Sequence, residues 1–132
     1  MHPWHHALSS VKKFGGEPMD YWKIHHWFDA SKSTYADFRH RALRHHSFGI
    51  YECEERFGVT LQNSDGTFIP IRVIGEQHVM EDCGRIPTVK DWLGTLKGER
   101  WMVKSSALTA DKKIQLGKNK PIGIGSEASV IQ

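Results

Sequence analysis

Three stretches of the 132-residue chain set imidazole and carboxylate side chains one helical turn apart. His25 precedes Asp29 by four residues, and His78 precedes Glu81 by three and Asp82 by four. His45 and His46 are adjacent, with His40 upstream. Residues three or four apart on a helix are neighbours on its surface, so each pair can meet a single ion. Helices that each donate one or two such groups build the metal sites of bundle cores. Imidazole with carboxylate suits zinc, manganese, iron or nickel. A divalent ion with an open position activates water for attack on a phosphate or acyl group. The expected ligands are His25, Asp29, His45, His46, His78 and Asp82, with Glu81 as candidate base. Arg41, Arg44 and Arg85 are the candidates for holding a substrate anion, through planar and permanently charged guanidinium groups.

All nine histidines lie between His2 and His78. His2, His5 and His6, with Trp4, form a separate amino-terminal cluster that either completes a site or collects adventitious metal. A plainer origin exists for each histidine: a hydrogen-bonded spacer on an amphipathic helix, or half of a surface His–Asp pair. His46 and His78 fit that origin least well, because each shares a face with apolar residues, where an unpaired imidazole is costly. Cysteine chemistry has little support. There is no CxxC to make a zinc finger, and Cys53 reads as a small apolar residue. Cys83 has no identifiable base. GxxxxGK[ST], GxGxxG after a strand and HExxH are all missing.

The elements that must position these residues follow from apolar spacing and breakers. Gly15-Gly16 closes an irregular or short helical lead-in. Asp20 to Ala30 predicts a helix with Tyr21, Ile24 and Phe28 on one side. A long helix is predicted from about Thr34 to Phe57, capped by Thr34 and stopped by Gly58. Its apolar face would carry Tyr35, Phe38, Ala42, His46, Gly49 and Cys53, with His45 at the edge and His40 nearly opposite. Val59–Gln62 and Phe68–Val73 predict a β-hairpin around Asn63–Gly66, with Pro70 marking an edge strand. Helical spacing returns from Ile74 to about Cys83. A short helix opens at Pro87-Thr88, with Trp92, Leu93 and Leu96 facing inward. The expected fold is mainly α, a compact bundle of about four helices with one β-hairpin inserted at about 59–73. One domain would cover residues 1–96, followed by a basic, Gly/Lys-containing C-terminal extension over 97–132.

Composition bounds the class. Hydrophobic residues at 39% and charged residues at 25% suit a globular domain rather than a disordered chain. No apolar run reaches the roughly 18 residues of a membrane span. The amino terminus lacks a signal peptide's apolar stretch, which points to the cytoplasm. The net charge is +3, and residues 97–132 carry seven Lys/Arg against three Asp/Glu, so the basic excess sits in the extension. Such an extension either stays solvated or touches an anionic ligand or nucleic acid.

The segments DFRHRALRHHSFGI (37–50), ERFGVTLQNSDGTFIPIRVIGEQHV (55–79) and EDCGRIPTVKDWL (81–93) resemble a family of short, uncharacterised bacterial and phage proteins, a domain of unknown function. The likeness runs over about residues 1–96. Its most specific run is EQHV-x-ED-x-G-x-IP, here Glu76 to Pro87. The resemblance implies a free-standing small domain in a bacterial cell or phage-infected host, and brings no activity with it. His45, His46, His78, Glu81 and Asp82 fall inside its most recognisable motifs. Cys83 stands where a leucine-like residue is expected, which speaks against a catalytic thiol. The leading expectation is a metal-dependent hydrolase of a phosphate-containing substrate, a nucleotide or nucleic acid. The alternatives are a non-catalytic protein that engages a host protein, and a nucleic-acid-binding accessory acting through its basic tail.

Overall fold

A computed structural model describes residues 1–103. The extension expected over 97–132 lies, from residue 104 onward, outside the described residues. Contacts divide the chain after Val89, and the first unit, Met1–Val89, contains every element of the site discussed below. That unit is mainly α with one two-stranded hairpin, as the spacing predicts. In order it runs α1 (Pro3–Phe14), α2 (Pro18–Asp29), 3-10 turns at Ala30–Ser33 and Phe38–Leu43, α3 (Ser47–Phe57), β1 (Thr60–Gln62), β2 (Phe68–Pro70) and α4 (Ile71–Cys83). α1 packs along α2, and α4 lies against α1, α2 and α3.

The lead-in is a full helix, because its start and stop signals are complete. His2 Nδ1 accepts from the Trp4 amide, Pro3 occupies the first helical position, and Gly15 (φ 83°) ends the helix. Pro at that position needs no amide partner, and Gly alone takes positive φ cheaply. α2 begins with Pro18 in its first turn, ahead of the Asp20–Ala30 pattern, and the Asp20 carboxylate accepts from the Glu17 amide. The same carboxylate accepts from the amide and hydroxyl of Ser64, which ties the hairpin turn to α2. Asn63 completes the tie. Its amide donates to the Phe14 carbonyl and the Tyr21 hydroxyl, and its carbonyl accepts from the Asp65 and Thr67 amides.

The predicted long helix over 34–57 does not form; only Ser47–Phe57 is α-helical. Two side-chain caps break it. Asp37 Oδ1 accepts from the Arg39 amide and starts the second 3-10 turn. His46, extended at φ −162° and ψ 173°, then accepts from the Gly49 amide at Nδ1 and starts α3. Caps compete with helix continuation because they give the backbone a different set of partners. The expected apolar face therefore dissolves: Tyr35 and Phe38 are exposed, while His40, expected opposite, is buried.

The hairpin pairs Leu61 with Ile69 in antiparallel register, but its second strand ends at Pro70 rather than Val73. Pro70 is instead the amino-terminal cap of α4, whose spacing buries Ile71, Ile74, Gly75 and His78 on one side. A β-branched run such as IRVI satisfies both periods, and the packing of Ile71 and Ile74 into the core decides for helix. The core joins Ala7, Tyr21, Ile24, Phe28, Ile50, Cys53, Ile69, Ile71, Ile74 and Val79. The last predicted helix is short, Val89–Leu93. Leu93 and Leu96 are exposed rather than inward-facing, since five residues make little more than one turn and Leu96 lies past its end.

Candidate metal centre

α2 and α4 deliver the two pairs that helical spacing predicts. His25 and Asp29 project from α2, and His78 and Asp82 from α4. All four belong to one buried polar group with His6 of α1 and His45 of the segment before α3. His6, His25, His45 and His78 are fully buried, and the side chains of Asp29 and Asp82 are only 5% and 2% exposed. Asp82 Oδ1 lies 3.1 Å from His6 Nε2, while Oδ2 lies 2.9 Å from His45 Nε2 and 3.3 Å from His78 Nε2. Asp29 Oδ1 is 3.3 Å from His78 Nε2 and 3.5 Å from His45 Nε2. Asp29 Oδ2 is buried and has no hydrogen-bond partner.

The surrounding hydrogen bonds assign the imidazole protons. Gln77 Nε2 donates to the His6 carbonyl and to Glu81 Oε1, so Gln77 Oε1 faces Ser10 and takes its hydroxyl proton. Ser10 Oγ then accepts from His25 Nε2–H at 2.7 Å, which leaves His25 Nδ1 as an acceptor. His78 Nδ1, 2.9 Å away, must donate to it. On α1, Glu81 Oε1 accepts from His6 Nδ1–H at 2.8 Å. In their neutral forms both His6 and His78 therefore turn the lone pair of Nε2 toward Asp29 and Asp82. Two imidazole lone pairs and two carboxylates converge, and a cation between them, or protons added to the rings or a carboxyl, would reconcile the acceptors. The two oxygens of Asp82 reach different rings, Oδ1 toward His6 at 3.1 Å and Oδ2 toward His78 at 3.3 Å, while Asp29 Oδ1 meets His78 at 3.3 Å. One ligand atom from each of His6, Asp29, His78 and Asp82 lies within 4.8 Å of the others.

The electrostatics follow the same geometry. Burial works against the charged forms of Asp82 and Asp29, but when the rings carry a proton on Nε2, donation from His45, His6 and His78 to Asp82, and from His45 and His78 to Asp29, holds both carboxyls well below the usual range. Burial, reinforced by the nearby His78 and His6, drives His25 down to about 2, in keeping with its neutral role. Burial also acts on His6, yet the Asp82 and Glu81 carboxylates raise it above its ordinary value. The Arg41 guanidinium, 3.9 Å from Asp82 Oδ1, and the Met1 ammonium, 3.5 Å away, add positive charge at the rim.

Other candidates fall elsewhere. His46 is not brought to the group: Nδ1 caps α3 and Nε2 donates to the Ala42 carbonyl. Glu81 lies beside it, but accepts from His6, Ser9 and Gln77, an arrangement that orients His6. Arg41 borders the group; Arg44 stacks on Trp27 and donates to the Trp27 carbonyl, and Arg85 is exposed past the end of α4. His6 is the member of the buried group least legible in the sequence. Its signal was Pro3-x-x-His6-Ala7-x-x-Ser10, which buries one face of α1 at three- and four-residue spacing. His2 and His5 from the same cluster stay exposed, near Trp22 in the case of His2.

Neither cysteine joins a possible ligand group among the described residues. Burial pushes the Cys53 thiol up to about 12. At pH 8.5 its thiolate fraction would be of order 10⁻³ to 10⁻⁴, and only the thiolate reacts. Native protein is therefore expected to leave Cys53 unlabelled by iodoacetamide at pH 8.5 while denatured protein labels fully, as read by peptide mass spectrometry. Rapid native labelling would reopen Cys53 as a nucleophile.

Residues 1–102 match the family described as Domain of unknown function (DUF6915). No curated protein and no solved structure matches the chain.

Proposed function

The chain belongs to this family of unknown function, and within it we propose a divalent-metal protein whose ion is held by His6, Asp29, His78 and Asp82. The observation that carries this reading is the convergence of four buried side chains from α1, α2 and α4, each offering one ligand atom within 4.8 Å of the others. His25 and Glu81 serve as positioning residues, each fixing the tautomer of a ligand histidine. Zinc, manganese, iron and nickel all accept this donor set.

The reaction class that best uses such an ion is hydrolysis of a phosphate ester, a nucleotide or nucleic acid. Arg41 supports that choice. Its guanidinium is partly exposed and stands at the edge of the metal group, 3.9 Å from Asp82 Oδ1, where its outer N–H groups suit a phosphate oxygen. Burial of the ligands favours one other reading, an ion that only locks the helices together, as in closed structural sites. No helix among the described residues is long and apolar enough to cross a membrane. We assign the protein to the bacterial or phage-infected cytoplasm. Engagement of a host protein, or salt-dependent nucleic-acid binding that disappears on removing residues 97–132, would mark the non-catalytic alternatives.

Elemental analysis of untagged protein tests the metal. Near-stoichiometric divalent metal is expected, retained in His46→Ala and lost in His78→Ala. Metal-loaded protein should then hydrolyse bis-p-nitrophenyl phosphate or nucleotides, and Arg41→Gln should lower kcat/KM by roughly ten- to a hundredfold. Metal without any phosphoesterase activity would leave the structural-ion reading. A parent protein that neither retains nor takes up zinc, manganese, iron or nickel would sink the metal reading altogether.

A further inference from the structure

A second group of ligand atoms adjoins the first. Asp29, His40 and His45, all buried, each offer one atom within 4.8 Å of the others. Asp29 is common to both groups, and Asp82 Oδ2 lies 2.9 Å from His45 Nε2. The orphaned Oδ2 of Asp29 is an acceptor that no hydrogen bond among the described residues satisfies. Asp29 Oδ1 faces both His78, at 3.3 Å, and His45, at 3.5 Å, so this carboxylate stands between the two groups while its Oδ2 is left unsatisfied. His40 is suitably oriented. The Ser31 hydroxyl contacts both the His40 carbonyl, at 3.2 Å, and Nδ1, at 2.8 Å. With the Ser31 proton on the carbonyl, Nδ1–H donates to Oγ and the Nε2 lone pair is left for a ligand.

We infer that the centre is dinuclear, with a second divalent ion held by His40 and His45 and joined to the first through the Asp29 carboxylate. This rests on the single-ion reading above and adds to it a second ion with its own ligands. Catalytic ion pairs about 3.5–4 Å apart clamp the attacking and leaving oxygens of a phosphoryl substrate, which is the use two ions sharing Asp29 would have. The second ion's ligands come from the 3-10 turn at Phe38–Leu43 and from the residue before the α3 cap, which gives a chemical use to the break in the predicted long helix.

Mn²⁺ serves as the probe. Chelator-washed full-length protein is reloaded with Mn²⁺, freed of excess metal by gel filtration, and examined by elemental analysis and electron paramagnetic resonance. Two Mn²⁺ per chain and a spin-coupled signal are expected. His40→Gln and His45→Gln should each bind one Mn²⁺ and show the six-line signal of an isolated ion, with circular dichroism confirming that they fold. One Mn²⁺ per chain and a six-line signal in the parent protein would overturn the second ion and leave the first standing. Two ions in the parent that persist in both variants would also overturn it, since the second ion would then have other ligands. No bound Mn²⁺ in the parent, with no zinc uptake either, would remove both.

Discussion

Asp82→Asn is expected to abolish the metal-dependent rise in thermal stability, and its metal-free stability reads whether the buried rings are charged. This variant separates a metal site from a network of ion pairs. If a cation is absent and protons reconcile the group, Asp82 is the shared counter-charge of His6, His45 and His78. Removing its charge would then strand buried imidazolium groups at about 3–5 kcal/mol. If the rings are neutral in the metal-free state, asparagine presents an N–H₂ to the His78 lone pair and relieves one of two neighbouring buried carboxylates, so little is lost. With metal, the two proteins diverge. Binding to the folded state alone contributes about 4 kcal/mol when the ion is 1,000-fold above its Kd. At about 4–8 °C per kcal/mol for a domain of this size, the parent should gain about 15–30 °C in Tm and Asp82→Asn almost nothing. Differential scanning calorimetry with EDTA and then with saturating Zn²⁺ reads both arms. A metal-free Asp82→Asn protein that melts far below the parent, in a parent indifferent to Zn²⁺, would assign the group to imidazolium–carboxylate pairs.

The second large effect is expected at a residue that carries no functional group. A Cβ on Gly49 would collide with the Arg44 carbonyl oxygen, and would sit 2.6 Å from the Arg44 carbonyl carbon and 2.9 Å from its Cα. Those are backbone atoms, which no rotamer change can move aside. The approach is close because the chain doubles back between the 3-10 turn and α3, with His46 capping onto the Gly49 amide. Gly49→Ala should therefore destabilise the metal-free protein by about 3 kcal/mol, a fall of roughly 12–24 °C in Tm. It should also weaken metal binding, since shifting Arg44 shifts His45 beside it. Gly75 makes the contrast. Its added methyl would meet side-chain atoms, Phe28 Cζ at 3.2 Å and Ile50 Cγ2 at 3.3 Å, which can yield by a few tenths of an ångström. Gly75→Ala should lower stability by only about 1 kcal/mol. Equal melting temperatures for the two variants would show that the Arg44–Gly49 segment can relax and that the 3-10 turn is not held in place by glycine.

Much of the fold was legible because it is encoded over short distances. The pairs His25–Asp29 and His78–Asp82 lie on single helices, where backbone geometry alone sets residues four apart on one face. The turn at Asn63–Gly66 was legible for a similar reason. Asn63 makes its own turn by accepting from the amides of residues 65 and 67, and Gly66 takes φ 85°. Membership of a mainly α class with one hairpin followed from those local periods.

The long helix over 34–57 shows where local reasoning stops. Its apolar spacing is real, but Asp37 and His46 use their side chains as caps, and the choice between cap and continuation turns on fractions of a kcal/mol to about 2 kcal/mol. Packing against α2 and α4 settled that choice, burying His40 and His45 and turning His46 away into a cap. His6 is the same lesson at longer range. Nothing within α1 marks it as different from His2 or His5 except the burial of its face, and its partners Glu81 and Asp82 lie 75 and 76 residues away. Sequence spacing determined which side chains share a helix face, because the helical repeat is a property of the backbone. Which faces meet, and hence that His6, Asp29, His45, His78 and Asp82 form one buried group, was decided only when apolar burial brought the helices together.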